Sequence, residues 1–476
     1  MTNTAAPAVS ERQSTRTIRS VSGNREELSL DNSSDSESWD PGVVSASRTD
    51  VGMRRTNNQD SHSVVPAQSE ERFRMRGHLF IVADGMGAHA AGELASSMAT
   101  ELIAMNYFRD AISDAKDSLH VAVNVANEEI YQRGQQNPEF HNMGTTASSL
   151  ALIPQGAVIA HVGDSRVYRL RRGILEQLTF DHSLVWEVQA SGQVHPDSAL
   201  GQALPKNVIT RSLGPNAEVQ IDIEGPFEIL NDDLFLLCSD GLSGQVDDVE
   251  IATLLDCLPE KLAAEVLVDL ANLRGGPDNT TIVITRVTDE KLFSAAPTDT
   301  VSSPTREPVP FWRTVAASAI AAFCFIAAIV LLFLGETNWV IIALLAAILS
   351  GVIAGTSYAD LRKRSRQKPT SGGDGANRVP KAFGGKAPYR RYLSKPDRNL
   401  FDSLGNTVKE LRDAAELKNW LMDWKQIDQL QKEGEQAMQT GDGKSAIALQ
   451  AKAIIETMHQ LREQHNRSAD ETAIDH

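Results

Sequence analysis

Four short apolar or β-branched runs in this chain lead into or out of an aspartate. Residues 79–83 end at Asp84, 158–162 at Gly163 and Asp164, 234–238 at Ser239 and Asp240, and 280–287 begin just after Asp278 and Asn279. Runs of this length and content read as buried strands. A carboxylate at the rim of a buried strand is costly to ionise, and several on one rim cost far more unless cations neutralise them. Hard divalent cations take oxygen ligands, so the first expectation is a site for two or more Mg2+ or Mn2+ ions. The alternative is that each Asp-Gly or Asp-Asn pair only marks a turn. Spacing along the chain does not separate the two.

The surrounding strings do. They are "DVGMRRTNNQDS" (50–61), "VADGMGAHAAGELAS" (82–96), "MGTTAS" (143–148), "HVGDSRVYRL" (161–170), "LTFDHSLV" (178–185), "RSLG" (211–214), "LLCSDGLSGQV" (236–246) and "GGPDNTTIVI" (275–284). In this order they resemble the bacterial form of the metal-dependent Ser/Thr protein phosphatases of the protein phosphatase 2C (PPM) family, over residues 41–290. The resemblance implies an α+β fold, an α/β/β/α sandwich of two antiparallel sheets flanked by helices. It implies that Asp84 bridges two metals, that the Gly85 carbonyl completes the second metal's shell, and that Asp240 and Asp278 hold the first. Asp60 is implied to contact metal-bound water and Asp164 to help hold a third ion, so the cofactor is Mn2+ or Mg2+, two ions or three. Arg55 is implied to grip the substrate phosphate, which a guanidinium fork binds bidentately. Arg54 is adjacent, but the spacing from Gly52 to Asn58 and Asp60 favours Arg55.

This set needs no protein nucleophile. Two cations sharing a water lower its pKa, the hydroxide attacks phosphorus in line, and the metals and Arg55 stabilise the charge that develops. The chain departs from relatives at three points. Met86 stands where many eukaryotic members have a histidine, which leaves the leaving-group acid unassigned; His89 and His161 lie nearby and read more readily as structural. Gln59 replaces a common glutamate, and Ala88 replaces a glycine. Cys238, Cys257 and Cys324 sit in no C-x5-R phosphate loop, and no GxxxxGK[ST] string occurs, which disfavours a cysteine phosphatase and an NTPase.

With 476 residues the chain is too long for one ordinary domain. A formal net charge of −16 argues against a general nucleic-acid binder. The three cysteines without paired spacing suggest a reducing compartment, and no apolar segment near the start suggests a secretory signal. Residues 1–40 are polar and expected as a disordered tail. Within 41–290, residues 93–106, 111–132, 251–258 and 261–272 read as amphipathic helices. The polar segment 181–207 corresponds to the variable flap beside the site in bacterial relatives.

Residues 291–313 read as a linker. Two uncharged apolar stretches, 314–334 and 339–358, are each about the 20 residues that cross a bilayer. They make residues 314–358 a two-helix transmembrane hairpin, flanked by Trp312, Trp339 and Tyr358. "GVIAG" (351–355) offers a weak helix-packing motif. The basic cluster 362–368 places both soluble regions in the cytoplasm. Residues 359–398 read as a basic flexible arm against anionic lipid.

Residues 399–476 form an α-helical C-terminal region, with Leu404, Val408, Leu411, Ala415, Leu421, Trp424 and Ile427 on an apolar face. Residues 433–458 resemble one tetratricopeptide unit, which suggests a partner-binding or self-associating bundle. All residues assigned to chemistry precede residue 290, so a chain cut there is expected to stay soluble and active. The expected function is hydrolysis of phosphoserine and phosphothreonine esters on proteins, opposing a Ser/Thr kinase at the membrane. Phosphorylated proteins, a Ser/Thr kinase and membrane lipids are the expected partners, with no nucleic acid. The alternatives are a catalytically weak phosphoprotein-binding scaffold, or a membrane adaptor acting through its C-terminal helices.

Overall fold

The computed structural model describes residues 39–87, 90–109, 114–192, 208–289 and 387–474, together with 198, 204 and 205, with side chains described up to 464. The N-terminal tail up to residue 38, the linker, the hairpin 314–358, the arm up to residue 386, Ala88 and His89 lie outside the described residues. Among the described residues no helix is long and apolar enough to cross a membrane.

The chain starts with β1 (Val43–Asp50), β2 (Asp60–Val65), α1 (Glu70–Arg76) and β3 (His78–Met86). Two long helices follow, α2 (Ala91–Arg109) and α3 (Ala115–Gln136). Then come β4 (Gly144–Thr145), β5 (Ala147–Ile153), β6 (Gly156–Val162), β7 (Arg166–Arg171) and β8 (Ile174–Gln177). The flap region opens with α4 (Leu184–Ala190), and β9 (Asp222–Phe227) and β10 (Leu234–Cys238) follow it. A single helical turn, α5 (Asp240–Ser243), leads to α6 (Asp248–Cys257), α7 (Glu260–Leu273) and β11 (Thr280–Val287). The C-terminal region contributes β12 (Arg390–Leu393), α8 (Arg398–Leu417), α9 (Trp424–Gln439) and α10 (Gly443–Ile474).

Two antiparallel sheets result, in the orders β1-β11-β10-β7-β8-β12 and β2-β3-β5-β6-β9, with β4 paired to β3. β3 shows how the layers arise. Its side chains alternate between faces. Leu79, Ile81 and Ala83 join the cluster formed with α2 and α3. Phe80 and Val82, equally buried, point the other way. Leu236, Ile282 and Ile284 play the corresponding part in the other sheet, packed with α6 and α7. Helices therefore cover the outer face of each sheet, as the resemblance implied. The expected helices 93–106 and 261–272 are α2 and α7, each slightly longer than expected, while 111–132 is α3, shifted four residues along the chain, and 251–258 is α6, which starts three residues earlier and ends one earlier.

The C-terminal region departs from expectation. Leu400, Phe401, Leu404, Val408, Ile427, Ile447 and Ile454 share one core cluster with α6 and α7. The helices are thus a layer of the same body and not a separate bundle. Ion pairs fix the contact: Arg462 meets Asp269 at 2.7 Å, His459 meets Glu265 at 2.8 Å, and Lys444 meets Asp256 at 3.0 Å. The end of the stretch expected as a flexible arm is a strand, with Arg390–Leu393 in register against Ile174–Gln177. Asp397 then caps α8 by accepting the Leu400 N–H at 3.0 Å. A cut at residue 290 would strip this cover from α6 and α7.

Candidate active site

Both sheets end at one rim. The register of β2 and β3 puts Asp60 directly opposite Asp84. β10 and β11 are neighbours in the other sheet, which brings Asp240 and Asp278 to the same end. The two sheets are joined there by the Ser239 hydroxyl, which donates to the Asp60 carboxylate at 2.7 Å. Asp84 is held by its backbone. Its N–H donates to Thr146 Oγ1 at 2.9 Å, and its carbonyl accepts from Thr146 N at 2.8 Å and from Thr145 Oγ1 at 2.9 Å. Gly85 follows, and a Cβ at that position would stand 2.1 Å from the Gly92 carbonyl oxygen. Only glycine permits that approach of backbones.

Asp164 lies in the turn between β6 and β7 and is buried. Arg55 projects from the loop after β1, half exposed, and donates to Asp278 at 2.8 Å. That loop is pinned by Asn279. Its side-chain amide donates to the Val51 and Asn57 carbonyls at 2.9 and 3.0 Å, and its carbonyl oxygen accepts the Gln59 N–H at 2.8 Å. Gly52, at φ +80, lets the loop pass so close to Asp278 that a Cβ would be 2.3 Å from its carbonyl oxygen. The Asp-Asn pair is therefore more than a turn: the aspartate serves the rim and the asparagine ties down the loop that carries Arg55.

The electrostatics match a cluster short of cations. Burial pushes the Asp60 carboxyl up to about 7, with the charges of Asp240 and Asp278 adding to it against hydrogen bonds from Ser239 and Thr281. Burial, then Asp240 and Asp181, push Asp164 up to about 8. Asp84 is driven well above the carboxylate range by burial and by Asp60, Asp240, Asp164 and Asp278. Asp240 is raised by burial and by Asp278. The Oδ1 atoms of Asp60, Asp164 and Asp240 are buried and have no hydrogen-bond partner among the described residues. Orphaned oxygens are costly, and an all-oxygen donor set is what Mg2+ and Mn2+ take. No three ligating side chains close into a cage among the described residues.

All seven residues implied for the site, Arg55, Asp60, Asp84, Gly85, Asp164, Asp240 and Asp278, thus sit at this end of the sheets. His161 is architectural: it is buried, bonds Ser148 Oγ at 2.9 Å and the Phe180 carbonyl at 3.0 Å, and burial with the neighbouring His182 pushes it down to about 3. The Cys238 thiol is buried and pushed up to about 12, so it is no nucleophile. Sequence reasoning missed Ser239, Thr146 and Asn279; each lies within one residue of a motif aspartate or inside "MGTTAS".

A family model described as Protein phosphatase 2C matches residues 53–265. Protein phosphatase PhpP of Streptococcus pneumoniae is 37% identical over 249 residues, 51% of this chain and 96% of that protein. The serine/threonine phosphatase stp of Listeria monocytogenes is 36% identical over 245 residues, 50% of this chain and 93% of that protein. The solved catalytic domain of the serine threonine protein phosphatase PstP, in complex with 2 manganese ions, is 34% identical, covers 52% of this chain and 99% of that one, and superposes with a TM-score of 0.44. The chain belongs to the protein phosphatase 2C (PPM) family. It is a metal-dependent Ser/Thr protein phosphatase.

Proposed function

We propose that the chain hydrolyses phosphoserine and phosphothreonine esters on proteins at a centre of two or three Mn2+ or Mg2+ ions, opposing a Ser/Thr kinase at the cytoplasmic face of a membrane. The orphaned, buried oxygens of Asp60, Asp164 and Asp240 carry this reading, with Arg55 held on Asp278. Asp84, Asp240, Asp278 and the Gly85 carbonyl would hold two ions, and Asp164 a third. Such ions, when bound, acidify water and offset phosphate charge. Arg55 swings from Asp278 to the phosphoryl oxygens, a move its exposure permits. Asp60, held by Ser239, orients the attacking water and takes up its proton. No cysteine or histidine is asked to act as nucleophile.

Membrane attachment rests on the apolar stretches 314–334 and 339–358, which lie outside the described residues. One feature of the body supports a hairpin. The chain leaves it after β11 and re-enters it at β12, a strand of the same sheet. If the intervening segment crosses a bilayer, it must cross an even number of times. The decisive assay is the purified full chain in detergent with a phosphothreonine peptide, with and without Mn2+. Turnover undiminished in EDTA would sink the mechanism, and a reporter at Thr337 on the same side as one after residue 290 would sink the topology.

A further inference from the structure

The strand supplied from beyond residue 386 touches the flap. Tyr389 donates its N–H to the Gln177 carbonyl at 2.8 Å and its hydroxyl to Glu224 at 2.6 Å. Its ring meets Phe180 edge-on with centroids 5.6 Å apart. The Arg390 guanidinium lies 3.9 Å from the ring centroid of Trp186, a buried residue of α4, and Phe180 packs edge-on against the same ring at 5.4 Å. A cation at that distance from an indole is an attractive contact.

The other side of this cluster is the turn that carries Asp164. Arg166, two residues on, has its guanidinium 5.6 Å from the Trp186 centroid and forks onto Asp181 at 2.9 and 2.7 Å. His182, next in the chain, exchanges two hydrogen bonds with Gly163: its ring accepts the Gly163 N–H at 3.0 Å and its own N–H donates to the Gly163 carbonyl at 2.8 Å. Residues 180–186 are thus bonded to both flanks of Asp164 on one side and to Tyr389 and Arg390 on the other.

We infer that Arg390, with Tyr389, is a positioning residue of the active site: it holds Trp186 and α4 in place and so steadies the turn that presents Asp164. The inference rests on reading Asp164 as part of the metal centre. It goes beyond the family, because a stretch of about half the chain that contains residues 53–265 ends well before Arg390. The C-terminal region would then act on the site in cis, through a strand rather than through a bound partner.

The test uses the full chain with Arg390→Ala, Arg390→Lys and Tyr389→Phe. In metal-free protein, amide exchange across residues 184–190 should quicken by about fivefold in Arg390→Ala, the scale of one lost cation–π contact. The half-saturating Mn2+ concentration should rise by a similar factor, with kcat at saturation kept. Arg390→Lys, which keeps the charge, should fall between this variant and the parent. A folded Arg390→Ala with parental exchange over 184–190 and parental Mn2+ dependence would overturn the inference. Should Arg390→Ala not fold, Tyr389→Phe, which removes one hydroxyl, must show the same local change on a smaller scale, and its absence would overturn the inference equally. Exchange is read without turnover, so an inactive parent protein that still shows the local change would defeat the proposed function and leave the positioning role standing.

Discussion

The rim of carboxylates and a lower tier of buried, ion-paired aspartates use the same residue type and meet different partners. Asp164 and Asp222 are both buried. Burial and neighbouring carboxylates push Asp164 up to about 8. Burial would raise Asp222 as well, yet it is held down to about 2, because His182 bonds it at 3.0 Å and Arg211 at 2.8 Å. Asp233 is clasped the same way, by Arg171 at 2.6 Å. The lower tier is internally satisfied and the rim is not. A buried carboxylate whose partners are supplied by the chain marks architecture; a group of them left short marks the place where ions from outside complete the structure.

The sharpest way to break this contrast is to neutralise one carboxylate in each tier. Asp84→Asn or Asp240→Asn should cost at least about 10²-fold in phosphopeptide turnover, since each deletes a charge that stabilises the ions. The same variants should leave the metal-free protein at least as stable as the parent, because a carboxyl that is costly to ionise in place has gone. Asp222→Asn should do the reverse at the level of stability. It should lower unfolding free energy by roughly 3 kcal/mol in urea titrations, the cost of breaking a buried pair. If Asp84→Asn destabilised the metal-free protein as much as Asp222→Asn does, the two tiers would not differ in kind.

The two tiers also differed in how far the chain announced them. Asp84, Asp240 and Asp278 were legible because each is flanked by a glycine or asparagine with a local backbone task, which leaves a short string to read. Asp222 and Arg211, or Arg166 and Asp181, pair across turns with no motif between them, and a lone arginine and aspartate look like any solvated surface. β12 was hidden for a different reason. Its partner β8 precedes the whole apolar stretch, and the basic sequence of Arg390 and Arg391 resembles an arm. Only the structure shows the first stacked on Trp186 and the second paired with Glu176 at 2.9 Å. Periodicity found the buried faces at Leu404, Val408, Ala415 and Ile427, but it does not say what covers them. It also placed Leu421 on that face, and Leu421 is 83% exposed, because the chain turns there between α8 and α9.

Acidity offers a gentler test. Asp60 at about 7 and Asp164 at about 8 lie above the ordinary carboxyl value of 3.8. A carboxyl raised in the folded chain contributes stability that is full below its unfolded value and is lost as pH climbs through the folded one. Metal-free protein should therefore melt at progressively lower temperature as pH rises from about 6.5 to 8 and level off above, because below 6.5 the buried His78 and His161, pushed down to about 4 and 3, act in the opposite sense. Saturating Mn2+ should flatten the curve by neutralising the rim. Asp222, already ionised well below that window, contributes nothing to the slope. A metal-free melting temperature that is level from about pH 6.5 to 8 would mean the rim carboxylates are paired by something the contrast omits.

The smallest expected effect distinguishes two neighbours. Arg55 reaches Asp278 at 2.8 Å with its side chain 48% exposed, so it is placed to leave that partner for a phosphoryl group. Arg54 is exposed on the same loop, and its guanidinium would lie 3.7 Å from a Cβ added at Gly275, against the turn before the rim. Arg55→Ala should raise KM for a phosphothreonine peptide by about tenfold, the scale of one charge-assisted pair. The Mn2+ requirement should persist, because Asp278 and the other acidic residues of the rim all remain. Arg54→Ala should change KM by less than about twofold, as expected for an exposed charge. Lysine at position 55 would keep the charge and lose the fork, so Arg55→Lys should recover only part of the affinity. If Arg54→Ala were the damaging change, the loop would present the other guanidinium to substrate, and the Arg55–Asp278 pair would belong to the satisfied lower tier instead of the rim.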